Sequence, residues 1–382
     1  MADRGSSSFQ DTQLNSVCCR NPLLGPVPVS ATMLSGTVSC EPFCAEQNVK
    51  YLIAGCAGFI GSRVAEILLC QGHTVHGIDN LNDYYDISLK FYRLESLQMH
   101  TGFSFEQIGI ENRDSVNRVV RDHDFDAVIN LAAAVGVRYS LENPYVYMTT
   151  NGIGNLNLLE AIRRAEIPKY VLASTSSLYA GQQMPFQETL PVNTPISPYA
   201  ASKKAAESMA WSYHNLFGID VSILRYFTVY GPAGRPDMGI FRFVRWIAEG
   251  QPLRIYGDGE QSRDFTFVED IAAGTVASLK PTGYEIINLG GGKNPISLNE
   301  IIDRLATQLK RKPVLEYLDP HEADMKSTWA DIAKAKRVLG WQPETSISEG
   351  LEQCVDWYLA NRPWSREIEI YRPAAKPLRI AG

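Results

Sequence analysis

The chain of 382 residues is long enough for two or three domains, and its 45% hydrophobic and 20% charged content is that of a folded globular protein. A net charge of −6 gives no basic footprint for nucleic acid, and no apolar run approaches a membrane span. Cys56, Cys70 and Cys354 are scattered, so a reducing cytoplasm is the expected compartment.

Residues 1–48 stand apart. They are rich in Ser, Pro and Cys, show no clear period, and lack the charged start, apolar block and cleavage site of a signal peptide. They read as an extension, loosely ordered. Cys18, Cys19, Cys40 and Cys44 do not have a zinc spacing and are expected as reduced thiols; no metal is expected.

The stretch Tyr51–Gly61, YLIAGCAGFIG, organises the rest of the chain. The apolar run Tyr51–Ala54 reads as a buried strand, and Gly55, Gly58 and Gly61 come after it at a spacing of three. Val64, Ala65, Ile67, Leu68 and Leu69 then form a helical apolar face that Gly72 can end. A strand, a glycine turn and a helix make a phosphate cradle, because backbone can approach a pyrophosphate and the helix N-terminus offers N–H groups. The next strand, Thr74–Ile78, ends in Asp79. An acid there accepts both ribose hydroxyls and repels a 2′-phosphate, which predicts NAD rather than NADP.

Residues 81–94 are polar and aromatic and are expected to cover the cofactor. Phe103–Ile108, Ala127–Leu131, Tyr170–Ser174 and Val221–Arg225 read as further strands. Helices are expected from Pro144 to about Arg164 and over Pro198–Phe217, the second ending at Gly218. Strands alternating with helices predict an α/β fold with a doubly wound parallel (Rossmann) sheet. Beyond Phe227 the rhythm loosens. Helices are expected at Gly239–Glu249, Leu298–Leu309 and Ile332–Leu339, and short strands at Leu253–Tyr256 and Phe265–Val268. The predicted organisation is an NAD-binding domain over 49–227, to which 264–280 can return, a smaller α/β substrate-binding domain over 228–362, and a tail over 363–382 without an assigned role.

Ligands of such sheets bind at the carboxyl ends of the strands. The fifth strand delivers Ser174, Thr175, Ser176 and Ser177 there, and the next helix carries Tyr199 and Lys203. A spacing of four places phenol and ammonium on one helix face. A free phenol, with a pKa of about 10, is a poor base at neutral pH. A nearby Lys203 charge and a positive nicotinamide are expected to lower the pKa of Tyr199. Tyr199 could then take a proton from a substrate hydroxyl, with Thr175 sharing that hydrogen bond.

With these motifs the chain resembles the extended short-chain dehydrogenase/reductase family, and within it the NAD-dependent sugar-nucleotide epimerases and dehydratases, from about residue 49 to about residue 360. The matching motifs are Gly55-x-x-Gly58-x-x-Gly61, Asp79, Leu131–Ala133, Thr175, Tyr199 and Lys203. Dehydratases of the family carry Asp-Glu after the threonine, decarboxylases usually Glu at the second of these positions, and plain UDP-glucose 4-epimerases Asn after the Arg-Tyr-Phe run. This chain has Ser176, Ser177 and Thr228. Together with NLNDYYDISLK (80–90), VRYSLENP (137–144) and VYGPAGRPDM (229–238), it looks most like UDP-glucuronate 4-epimerases.

The resemblance implies a cofactor site of Gly55, Gly58, Phe59, Ile60, Gly61, Asp79, Asn80, Asn82, Lys90, Ile110, Leu131, Ala132, Ala133, Ser174, Tyr199, Lys203 and Tyr226. It implies catalysis by Tyr199, Lys203 and Thr175. Thr175, Ser176, Ser177, Thr228 and Arg138 would meet the sugar, and Arg235 and Arg263 the UDP phosphates. It further implies a homodimer built on the helices around 144–164 and 198–217. Within the same fold, a UDP-glucose or dual-specificity 4-epimerase stays open, and less so a decarboxylase; a silent NAD sensor is the alternative outside catalysis. Three positions depart from the pattern. Gly109 stands where relatives often have an Asp that meets the adenine amino group, Asn130 where many have His, and Cys56 where Ala is usual. Cys56 reads as a small filler, with an acidified thiol at the helix N-terminus as the other possibility.

Overall fold

The computed structural model describes residues 48–293, 295–320 and 325–370. The extension up to residue 47, with Cys18, Cys19, Cys40 and Cys44, lies outside the described residues, as does the tail from 371 to 382. Among the described residues, β1 (Lys50–Ala54), β2 (Thr74–Ile78), β3 (Phe103–Glu106), β4 (Ala127–Asn130), β5 (Lys169–Thr175), β6 (Asp220–Tyr226) and a seventh strand, Tyr284–Leu289, form one sheet. Its order is seventh strand, β6, β5, β4, β1, β2, β3, and every pairing is parallel. The chain winds outward from β1 through β3, then returns to β4 on the other side of β1. A crevice opens where that direction reverses, above the ends of β1 and β4.

Both faces of the sheet are covered, so the central strands are apolar throughout. Ile53 packs into one cluster with Val64, Leu68 and Ile271, whereas Leu52 and Ala54 pack into another with Val116, Leu158, Ile162 and Ala206. The helix Val268–Ala277 lies against the Phe59–Cys70 helix through Ile271 and Ala272, and the chain then adds the seventh strand beside β6. Neither of these elements was legible in the loosened rhythm after Phe227, and the expected strand Phe265–Val268 stops at Phe267 because Val268 opens that helix.

Two helices near the start were also missed. Ser88–Gln98 occupies the polar, aromatic cover segment. Arg113–Asp122 buries Val116, Val119 and Val120, which share one helical face at i, i+3 and i+4 that went unread in the otherwise polar RDSVNRVVRD; Asn112 caps it by accepting from the Ser115 N–H at 3.0 Å. The expected helix from Pro144 to Arg164 is present, with a wide π turn at Met148–Gly154. That turn directs Asn151 to the backbone of Ala134, at 2.9 Å for both bonds, and to Ser202 Oγ at 2.9 Å, which pins the loop after β4. The Pro198–Phe217 helix ends as read, at Gly218 with φ +71°.

A third cluster joins Phe241, Val244, Leu253, Ile255, Ile301, Leu305, Leu351 and Trp357. Three small two-stranded sheets serve this part: 228–230 with 265–267, 262–263 with 296–297, and 252–256 with 314–318. Part of the tail has a structural role, since Ile368 is buried there and its carbonyl accepts from Arg245. Among the described residues no helix is long and apolar enough to cross a membrane.

Candidate active site

The glycine turn closes under steric compulsion. Gly55 has φ +83°, and a Cβ on it would lie 2.6–2.8 Å from the backbone of Leu131 and Ala132. At Gly61 a Cβ would lie 2.1 Å from the Gly55 carbonyl oxygen. The turn therefore packs backbone to backbone against Leu131–Ala133 at the reversal point of the sheet. Gly58 caps the Phe59–Cys70 helix without a side-chain hydrogen bond, and no acid stands in its first turn. Its first N–H groups can meet an anion, and the cradle fits a dinucleotide pyrophosphate.

At the end of β2, Asp79 Oδ1 accepts from Leu81 N–H at 2.8 Å and from Lys90 Nζ at 3.4 Å. Lys90 Nζ also lies 3.2 Å from Asn82 Oδ1, and Asn80 Oδ1 accepts from Asn82. Asp79, Asn80, Asn82 and Lys90 thus come together, with buried Ile110 nearby through Asn157, which donates to its carbonyl. Gly109 lacks the acid of relatives, but Glu111 fills the space: a Cβ at Gly109 would be 2.1 Å from Glu111 Oε1. Asn80 donates to that oxygen at 3.3 Å, and Glu111 Oε2 is buried without a hydrogen-bond partner. Nothing in the spacing of the sequence marked Glu111.

Cys56 is fully buried, and a Cβ on Gly77 would lie 2.5 Å from its sulfur. Burial first, then the Asp79 charge, pushes its thiol well above the ordinary value. The acidified-thiol possibility is overturned, and the filler reading stands. Asn130 donates to the Tyr170 hydroxyl at 2.9 Å, which in turn donates to Asn155, a chain of core hydrogen bonds.

The reactive groups gather at the end of β5. Tyr199 and Lys203 are buried on the Pro198–Phe217 helix, and the Thr175 hydroxyl lies near enough to the Tyr199 oxygen to favour its anion. Lys203 Nζ donates to the Ala173 carbonyl at 3.0 Å. Burial lowers its pKa to about 8, against the pull of the Glu207 charge. The expected acidification of Tyr199 is not present in the protein groups themselves. Burial raises its pKa, and only the Thr175 hydroxyl and the Arg235 charge work in the other direction. A phenol surrounded by packed side chains loses hydration that its anion needs, and sequence spacing carries no measure of that.

Ser174 donates to Glu207 Oε1 at 2.6 Å, and Glu207 is gripped by Arg225 at 2.9 and 2.8 Å. Ser176 and Ser177 begin the tight turn after Thr175, with Ser177 N–H donating to Thr175 Oγ1 at 3.1 Å. Phe59, Thr228 and Arg235 line one recess. Arg235 forks onto Asp237 at 3.0 and 2.5 Å and lies over the Tyr84 ring at 5.8 Å. Three of the sequence-selected side chains have other partners. The Tyr226 hydroxyl is 2.8 Å from Thr275 Oγ1, Arg138 stacks on Tyr256 at 4.2 Å, and Arg263 donates to the Ser262 carbonyl at 2.8 Å. Tyr147, which sequence reasoning missed, sets its ring edge-on to Tyr199 at 5.9 Å, with its hydroxyl 2.7 Å from the Val135 carbonyl.

The family model described as GDP-mannose 4,6 dehydratase matches residues 52–354. The chain belongs to this family of extended short-chain dehydrogenases/reductases. Among family members, it is 56% identical over 320 residues to a UDP-glucuronate 4-epimerase of Thermodesulfobacterium geofontis, covering 84% of this chain and 99% of the relative. A crystal structure of UDP-glucuronic acid 4-epimerase from Bacillus cereus, in complex with UDP-glucuronic acid and NAD, is similar with a TM-score of 0.77 and 37% identity. The match covers 82% of this chain and all of that one. A UDP-glucose 4-epimerase of Thermotoga maritima, with UDP-glucose, is similar at 29% identity and a TM-score of 0.75, over 82% of this chain and 100% of that chain.

Proposed function

We propose that this protein is an NAD-dependent sugar-nucleotide 4-epimerase that interconverts UDP-glucuronate and UDP-galacturonate. The observation that carries the reading is the buried set of Tyr199, the nearby Thr175 hydroxyl, and Lys203 one helical turn on, beside the glycine cradle. The 56% identity to a UDP-glucuronate 4-epimerase supports the choice of substrate.

The glycine turn and Asp79 would hold NAD, which would supply the hydride chemistry at C4 of the sugar. Tyr199 takes the C4 hydroxyl proton, and Thr175 holds the same oxygen. Lys203 contributes its positive charge from the next turn of the helix. Arg235, aimed by Asp237, holds the diphosphate, so the resulting 4-keto sugar can turn about its phosphate link without leaving. A uronate at this stage can lose CO₂ if its C5–carboxylate bond aligns with the C4 carbonyl. Ser176, Ser177 and Thr228 hold the carboxylate away from that alignment.

Residues 49–227 with the returning segment form the cofactor half, and 228–362 the sugar-nucleotide half. A second copy of the chain is the proposed partner. Tyr145, Met148, Ile153, Trp211 and Leu216 are exposed apolar side chains on the two helices that would meet it. A cytoplasmic location fits a soluble enzyme of UDP-sugars.

The test is product analysis with NAD and UDP-glucuronate, UDP-glucose or UDP-xylose. UDP-galacturonate formed without pentose is the expected result. Turnover of UDP-glucose alone would move the assignment to the neutral-sugar epimerases, and a pentose product to the decarboxylases.

A further inference from the structure

Arg93 is a charge that the proposed chemistry does not use. It lies on the Ser88–Gln98 helix and is 2% exposed. Among the described residues no carboxylate pairs with it. Its Nη1 donates to the Ala57 carbonyl, inside the glycine turn, at 3.2 Å and to the Tyr85 hydroxyl at 2.7 Å. Its Nε and Nη2 donate to the Ala233 carbonyl at 3.2 and 2.7 Å. The guanidinium also faces the rings of Phe59 and Tyr85 at 5.8 and 5.6 Å.

These partners belong to three separate pieces of chain. Ala57 and Phe59 flank the N-terminus of the helix that would take the dinucleotide phosphates. Ala233 sits at φ +50°, two residues before Arg235. Tyr85 comes from the loop between Asp79 and the Ser88–Gln98 helix, in the segment expected to cover the cofactor. A buried guanidinium without a counter-ion is unfavourable unless its donors are engaged, and here two backbone carbonyls and the Tyr85 hydroxyl take four of its five N–H groups. Displacing either carbonyl breaks the fork, so the positions of the turn and of the Arg235 segment depend on each other.

We propose that Arg93 is a positioning residue that couples the two ligand sites, so that dinucleotide binding strengthens binding of the sugar nucleotide's diphosphate, and the reverse. The assignment of ligands rests on the proposed function; the coupling rests on the fork. Linkage requires the effect to be reciprocal.

The test uses the full chain, freed of dinucleotide or loaded with NAD, and calorimetric titration with UDP. In the unaltered protein NAD is expected to tighten UDP binding about 10-fold. Arg93→Lys keeps the charge but cannot bridge both carbonyls, and the ratio should fall to within about 2-fold of one. Val120→Ala, a cavity variant on the other face of the sheet, should lower the melting temperature and leave the ratio intact. Should Arg93→Lys fail to fold, Tyr85→Phe, which removes the phenol that aims the fork, should lower the ratio part-way. A ratio near one in the unaltered protein overturns the coupling, as does an unchanged ratio in the folded Arg93 variant or, in its place, in Tyr85→Phe. Absence of any NAD or UDP binding to the unaltered protein would instead overturn the proposed function.

Discussion

Replacing Glu207 by Gln tests the electrostatics behind the active site. Glu207 and Arg225 are each 1% exposed and meet through two bonds of 2.8–2.9 Å. The same carboxylate accepts from Ser174, and Arg225 reaches the Tyr179 hydroxyl at 2.8 Å. Neutralising one partner leaves a buried guanidinium charge uncompensated, which costs about 3–5 kcal/mol. With an unfolding entropy of roughly 2 cal/mol/K per residue, that is a fall of about 5–8 °C in melting temperature. A second effect comes through Lys203, whose pKa burial lowers to about 8 while Glu207 holds it up. A lysine is charged below its pKa, so activity that needs the ammonium is present below about pH 8 and lost above it. Without the Glu207 charge the pKa drops further, and the alkaline limb of the kcat profile should move to lower pH. Thermal melts and a kcat profile from pH 6 to 10 check both. A destabilised variant whose alkaline limb stays in place would refute the electrostatic link between Glu207 and Lys203.

Gly61→Ala must move the Gly55 carbonyl away from a Cβ that would otherwise lie 2.1 Å from it. A displacement near 1 Å at the cradle predicts loss of dinucleotide affinity on the order of 100-fold, read by direct NAD titration. Burial raises the pKa of Asp264 to about 6, against hydrogen bonds from Ala330, Gly292 and Gly291. For an acid with a raised folded-state value, the folded chain holds its proton longer than the unfolded chain, so its contribution to stability declines as pH rises from about 4 to about 6. Asp264→Asn should therefore gain stability relative to the unaltered protein across that window, as paired thermal melts would show. Ser176→Ala or Thr228→Ala removes a hydroxyl proposed to hold the uronate carboxylate, at about 1–3 kcal/mol each. The expected result is a larger pentose fraction or slower uronate turnover, and unchanged values for both count against that role.

The glycine turn and the Pro198–Phe217 helix were readable because their constraints are local. The glycines sit where backbone must touch backbone, and an i, i+4 pair places Tyr199 and Lys203 on one face whatever surrounds them. The ionisation of Tyr199 was not readable in this way. Its sign depends on burial, a property of the packed protein, and the expected lowering by protein charge gave way to a rise. Arg93, Glu111 and Glu207 escaped notice for a related reason. Their partners, such as Ala233 for Arg93 and Arg225 for Glu207, are distant in sequence, and no spacing rule joins them. The π turn at Met148–Gly154 was likewise hidden, since a helix interrupted by one wide turn keeps nearly the same apolar pattern. After Phe227 the strands at 252–256 and 265–267 were read, whereas those at 228–230, 262–263 and 296–297 are two or three residues long, too short for alternation to stand out.

The central claim is that one hydride leaves C4 and returns to the same carbon within a single closed site. UDP-glucuronate carrying deuterium at C4, incubated with the protein and NAD in ordinary water, tests it directly. The account predicts UDP-galacturonate with the label fully retained at C4 and nothing acquired from solvent. Label lost to water, or solvent hydrogen appearing at C4, would mean that inversion proceeds by proton abstraction or elimination, and would contradict it.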